Sequence, residues 1–271
     1  MNKIIIITSC SLRHLYFADR VIKSLNNIYF EIILEGDIPK NSSYEKISFS
    51  KNIIKNHFNY RHNSEIDFFS ESYEILQNKH ILYNIGKGKL NDDKTIDYIL
   101  DFNPNIIITY GCSIIKPKLI SLFKNRIINV HLGLSPYYKG AGTNFHALVN
   151  NEFHLVGYSI IYMDERIDTG EIIHQSRAKF LQNDTPHTAG NRLIKKMTRD
   201  MILLISNFKL IKQIVSIKTS YNCKYYKIKD ATEEKTIELY ENFKINLNAH
   251  ISKKNNIEDK FPIVEQEFLK T

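Results

Sequence analysis

The sequence predicts an α/β fold: a Rossmann-like, doubly wound, mostly parallel sheet with helices on both faces and a small C-terminal appendage. Three observations lead there. Short β-branched runs such as Ile4-Ile5-Ile6-Ile7 and Ile106-Ile107-Ile108 show no polar alternation, the mark of strands covered on both faces. Between them lie stretches whose apolar residues recur at helical spacing. Polar turns separate the two kinds of segment, as in successive βα units.

In order, residues 4–7 form the first strand. Ser9-Cys10-Ser11 turns the chain into a helix over 12–25, where Leu12, Tyr16, Ala18, Val21, Ile22 and Leu25 keep helical spacing. A second strand spans about 29–34. Residues 36–90 scatter Asn, Ser and His among aromatics, and only a helix near 68–78 and a strand near 80–84 are expected there. Asp92-Asp93 caps a helix that Asn103-Pro104 ends. A strand at 106–110, a helix around 117–123 and a strand at 127–131 follow. The runs 156–163 and 171–180 read as antiparallel strands finishing a mixed sheet. Asp184-Thr185-Pro186 opens a long helix to about 215. The tail holds a strand at Tyr225-Tyr226, a helix at about 232–243 and a weakly patterned end. The expected division is a domain at 1–215 and an α+β extension at 216–271.

The 271 residues suffice for a full core, and 43% hydrophobic with 24% charged residues argue against disorder. A net charge of +8 suggests an acidic partner, yet Lys is interleaved with acids, as in Glu233-Glu234-Lys235. A solvated mixed surface is the simpler reading, and a nucleic-acid face is disfavoured. Cys10, Cys112 and Cys223 lie far apart with no CxxC, which supports neither disulfides nor a metal site and suits a reducing cytosol. The N-terminal apolar run is too short for a signal peptide, and no stretch approaches a membrane span, so a cytoplasmic chain with no membrane partner is expected.

Ligands of open α/β sheets bind at the carboxyl ends of the strands, and unusual residues gather there. Tyr110-Gly111-Cys112-Ser113 follows one strand, and Asn129-Val130-His131 ends the next. Asn129 and His131, two apart on a strand, share a face, where amide and imidazole could hold an oxygen that gains charge during acyl transfer. Asp168, in the turn 164–170, is the candidate carboxylate for the proton of an attacking amine. A structural histidine and an ordinary turn aspartate are the alternative.

Asn129-Val130-His131 followed by Leu134-Ser135-Pro136 and Gly140 resembles the first signature of the formyltetrahydrofolate-dependent formyltransferases. Tyr158–Asp164 leading to Asp168-Thr169-Gly170 resembles the second. The likeness covers roughly residues 3–200 and is specific at 129–175. It implies that N10-formyltetrahydrofolate is the formyl donor, with Asn129 on the formyl oxygen, His131 on the oxyanion, and Asp168 holding His131 charged and relaying the amine proton. It implies that the pterin lies against Gly111, Cys112, Ser113, Ile114 and Ile115, and against Asp164, Glu165, Arg166 and Ile167. Gly133-Leu134-Ser135 departs from the usual Ser-Leu-Leu, and Ser9–His14 replaces a glycine-rich phosphate loop. Ser11, Arg13 and His14 at a helix start could still hold a phosphate, or be plain surface residues.

The tail Cys223–Asp230 and the following helix are similar to those of formyltransferases acting on nucleotide-linked amino sugars, which implies such a small-molecule acceptor. Lys139, Gly140, Thr143 and Asn144, with His146, would then face it, packing being the alternative for His146. Glycinamide ribonucleotide and methionyl-tRNA are the other enzymatic readings, and a non-catalytic nucleotide-binding module is the reading from another class. The exposed tail is compatible with a homodimer interface.

Overall fold

A computed structural model describes residues 2–39, 45–77, 81–165, 168–211, 222–252 and 257–270. The first half alternates β1 (Lys3–Ser9), α1 (Leu12–Ser24), β2 (Tyr29–Glu35), α2 (Ile53–Phe69), β3 (Leu82–Ile85), α3 (Asp93–Phe102), β4 (Ile106–Tyr110), α4 (Pro117–Leu122) and β5 (Ile127–His131). Then come β6 (Tyr138–Gly140), α5 (Thr143–Val149), β7 (Gly157–Tyr162), β8 (Ile172–Arg177), α6 (Pro186–Ser206), β9 (Lys224–Tyr226) and α7 (Glu233–Ser252). The main sheet runs β3-β2-β1-β4-β5-β7-β8. Strands β1 to β5 are parallel, β7 is antiparallel to β5, and β8 is antiparallel to β7. This is the mixed, Rossmann-like sheet that the alternation predicts.

The isoleucines of β1 show why its pattern lacks alternation. Ile4 and Ile6 join a core with Leu15 of α1 and Met197 of α6, while Ile5 and Ile7 join another with Ile99 of α3 and Leu119 of α4. All four are fully buried. Each such side chain contributes about 1.5–3 kcal/mol on burial.

Four elements differ from expectation. Helix α2 occupies 53–69, ahead of the helix expected near 68–78, and residues 70–77 form 3-10 turns. Its buried positions include Asn59 and Glu65, so no apolar stripe announces it. The expected loop 134–144 contains β6, which pairs in parallel with β9. Helix α7 runs on to Ser252, and α6 stops at Ser206 with Asn207 as its C-cap. The expected boundary at 215–216 lies outside the described residues.

The tail returns to the body. Leu239, Phe243 and Leu247 of α7 are buried with Ala147 and Leu148 of α5 and with Phe153. Beyond it, Gln175 N donates to Val264 O at 2.6 Å, and Val264 N donates to Gln175 Oε1 at 3.1 Å. No helix among the described residues is long and apolar enough to cross a membrane. Strand order reverses between β1 and β4, which opens a crevice at the carboxyl ends of the sheet.

Candidate active site

Strand β5 carries Asn129 and His131 on one face. Thr109, the register partner of Asn129 on β4, is fully buried and donates its hydroxyl to Asn129 Oδ1 at 2.9 Å. That contact leaves the amide nitrogen to donate to Asp168 Oδ1 at 3.3 Å. Asp168 sits at φ +51, a left-handed conformation that aspartate tolerates better than most residues. Its Oδ2 accepts from the Gly140 N–H at 2.9 Å and lies 3.4 Å from His131 Nδ1. His131 Nε2 lies 3.2 Å from the Tyr138 carbonyl, which only accepts, so this nitrogen carries a proton. Amide, imidazole and carboxylate thus converge at the end of β5, with His131 8% exposed.

Two glycines make room for this arrangement. A Cβ on Gly133 would come within 2.5 Å of His131 Nε2 and of Thr143 Oγ1. Gly140 has φ +89, and a Cβ there would meet the Tyr226 carbonyl at 2.1 Å.

The group opens into a cleft of about 1420 Å³. One wall is the 111–115 loop with Asp164 and Glu165. Buried Glu35 pins that wall: Oε1 accepts from Gly88 N at 2.8 Å and Oε2 from Ser113 N at 2.6 Å. Burial, with help from Glu35, pushes the Cys112 thiol up to about 12, so it stays protonated. Ile114 is exposed, Arg166 and Ile167 lie outside the described residues, and Asp164 accepts from the Thr169 hydroxyl at 2.7 Å. Ser11, Arg13 and His14 also line the cleft, and the His14 ring lies directly against the start of the 111–115 loop, where a Cβ on Gly111 would come within 2.2 Å of it. Arg13 is hydrogen-bonded to Glu65 of α2. His14 Nδ1 lies 2.5 Å from Ser9 Oγ, and burial, then Arg13 and Arg61, hold its imidazole well below the usual range.

Gly140, Thr143 and Asn144 line the cleft and Lys139 does not. The Asn144 amide is taken up at both ends by Gly157, at 2.9 and 3.0 Å, and the Thr143 hydroxyl donates to Leu132 O. Both residues therefore fix α5 to the sheet. His146 is buried and stacks on Tyr226, ring centroids 3.7 Å apart.

Sequence reasoning misses Thr109, Glu35, Arg61 and a pair of histidines. His57 and His187 meet at the Tyr240 hydroxyl, at 3.0 and 2.9 Å, joining α2, α6 and α7 beside the cleft. Burial, then Arg61, lowers His57 to about 4, and burial, then His57 and Arg61, lowers His187 to about 3. Thr109 had a signal: a hydroxyl inside a buried strand needs a partner. The others are joined only by tertiary contact.

A sequence profile described as formyl transferase matches residues 61–205, more than half of the chain. The methionyl-tRNA formyltransferase of Buchnera aphidicola subsp. Baizongia pistaciae is 36% identical over 121 residues, covering 44% of this chain and 37% of that protein. That of Finegoldia magna is 32% identical over 92 residues, covering 33% of this chain and 29% of the relative. The match thus spans about a third of these curated relatives' length. Among solved structures, a sugar N-formyltransferase from a Shewanella species matches with a TM-score of 0.58 at 16% identity, over 88% of this chain and 87% of that one. The phosphoribosylglycinamide formyltransferase of Streptococcus pneumoniae matches with a TM-score of 0.54 at 17% identity, over 77% and 99%. These two likenesses establish the shared fold. The profile match, running through the strand that carries Asn129 and His131 and the turn that carries Asp168, establishes more: this chain belongs to the formyl transferase family.

Proposed function

We propose that the protein transfers a formyl group from N10-formyltetrahydrofolate to the primary amine of a nucleotide-linked amino sugar. The observation that carries this reading is the convergence of Asn129, His131 and Asp168 at the rim of a cleft roomy enough for two ligands. Small-molecule sites usually span about 300–1,000 Å³, and this one exceeds that range. The wall at 111–115 suits a folate ring, since apolar Ile115, Ile161 and Met163 stand beside backbone held by Glu35.

When bound, the donor supplies a formyl group on nitrogen, and the chain's own groups do the rest. The Asn129 amide nitrogen and the His131 ring face the formyl oxygen and stabilise the charge it gains as the amine attacks. Both ring nitrogens of His131 face acceptors, so the doubly protonated ring satisfies both contacts. Asp168 balances that charge and takes the amine proton, directly or through water; passed on to the donor nitrogen, that proton would let the old C–N bond break, so that tetrahydrofolate leaves and the formyl group stays on the amine. Thr109 positions the amide of Asn129 without reaching the reacting atoms.

The packing of the described tail residues supports a small acceptor. The tail's one described strand, β9, pairs with β6 and brings Tyr225 and Tyr226 to the cleft, and α7 packs on α5. The domain reading that accompanies it is a catalytic unit at 1–215 with an extension at 216–271 that closes the acceptor side. Methionyl-tRNA is the second reading, favoured by the curated relatives and the net charge of +8. The test incubates the protein with N10-formyltetrahydrofolate and a panel of dTDP-, UDP- and GDP-linked amino sugars, and follows tetrahydrofolate release. Turnover with at least one is expected. No turnover with any sugar beside robust turnover with glycinamide ribonucleotide or methionyl-tRNA rejects the sugar assignment, and a salt-steep affinity marks the RNA.

A further inference from the structure

Residues 36–90 have no role legible in the sequence, yet α2 places a charged group in the lining of the cleft. Arg13 of α1 and Arg61 of α2 both address one oxygen, Oε1 of Glu65. Arg13 bonds to it directly and is 18% exposed, whereas Arg61 Nε stands off at 3.7 Å and Arg61 is 42% exposed. Glu65 is 6% exposed, so one buried carboxylate balances two guanidinium groups. Among the described residues Arg61 makes no hydrogen bond: its Nε faces Glu65, its guanidinium lies over the Phe58 ring at 4.9 Å, and the residue lines the cleft with the rest of its planar fork unpaired there. The imidazoles nearby, His14, His57 and His187, are held uncharged and do not alter the balance.

We infer that Arg61, with Arg13 locked behind it by Glu65, is an anion subsite that binds the phosphate or diphosphate of the amine substrate. This rests on the formyl-transfer reading for which ligand arrives there. The arginine chemistry stands apart from it. A guanidinium fork pairs with phosphate oxygens at two points, and the half-open cleft strengthens the attraction relative to bulk water. Glu65 tunes the site: it cancels one of the two charges and holds Arg13 in place, so Arg61 presents the surplus charge.

The experiment titrates the full-length protein with inorganic pyrophosphate, with UDP and, in a separate arm, with tetrahydrofolate, using calorimetry. The variants are Arg61→Gln, Arg61→Lys and Glu65→Gln. Wild type is expected to bind pyrophosphate and UDP. Arg61→Gln should weaken both tenfold or more, Arg61→Lys less, and Glu65→Gln should tighten both about threefold or more because the local charge rises by one. Tetrahydrofolate affinity should stay within twofold throughout, which also reports that the variants fold. An arginine pair that merely braces α1 against α2 would lower the melting temperature in all variants and leave anion affinity unmoved. That result overturns the inference, as does a wild type that binds neither anion. A parallel loss of tetrahydrofolate affinity in Arg61→Gln also overturns it, assigning the arginine to the donor's carboxylates. Anion binding that follows the stated order in a protein without formyl transfer supports the subsite and sinks the transfer reading alone.

Discussion

Replacing Asp168 with Asn changes one atom and tests the whole site. The native carboxylate accepts from the Asn129 amide on Oδ1 and from Gly140 N on Oδ2, with His131 Nδ1 on the same side at 3.4 Å. An amide cannot serve all three. Turned one way, its NH2 meets the NH2 of Asn129, and turned the other way it meets the Gly140 N–H and the imidazole. The less costly orientation sacrifices the Asn129 contact. Losing a hydrogen bond to a charged acceptor removes about 1.5–3 kcal/mol, roughly ten- to 150-fold in rate if felt wholly in the transition state. Losing the proton acceptor adds about 10²–10⁴-fold. Asp168→Asn should therefore reduce kcat at least about 10³-fold in the tetrahydrofolate-release assay. Its donor affinity should be nearly unchanged, and its stability should fall by no more than about 1–3 kcal/mol. A folded variant that retains kcat within threefold of wild type would refute the assignment of Asp168, and with it the mechanism.

Other expectations follow from single contacts. Thr109→Val keeps the shape and deletes the hydroxyl that fixes the Asn129 amide, so stability should drop by about 1 kcal/mol and kcat by about fivefold at constant donor KM. A fall in melting temperature with unchanged kcat would mean that the bond serves the sheet alone. Acid should loosen the fold through His57 and His187. They titrate at about 4 and about 3 in the folded chain against about 6.5 unfolded, so the unfolded chain takes up their protons first. Their stabilisation is whole above pH 6.5 and drains as pH falls toward 4 and then 3, by up to about 1.4 kcal/mol per pH unit per histidine. His187→Gln should flatten the stability profile between pH 6 and 4 by about one proton. An identical slope would show that the ring titrates normally.

How much of this was legible depends on whether a signal is local. The α/β alternation was readable because strands buried on both faces must be continuously apolar, as 4–7 and 106–110 are. The triad was readable because period-two geometry sets Asn129 and His131 on one face, and because the motif around Asp168 resembles a known one. Helix α2 was invisible for the converse reason. Its inward positions Asn59 and Glu65 are polar, Glu65 serves a cleft and not a core, and hydrophobic periodicity then carries no information. Strand β6 was hidden because three residues with one parallel partner, 86 positions away at Lys224, leave no local mark.

From its sequence alone this protein has its sheet and the order of its elements, which follow from chemistry that repeats every two or about four residues, and the identity of three converging side chains, of which Asp168 came from the resemblance of its turn to a known motif. Tertiary structure decided how Thr109 turns the Asn129 amide, how Glu35 holds the wall at 111–115, and how Arg13, Arg61 and Glu65 come to share one wall. Those arrangements join residues distant along the chain through hydrogen bonds and charge. A group's partner in such a contact is set by where the sheet delivers it and leaves no pattern in the residues on either side.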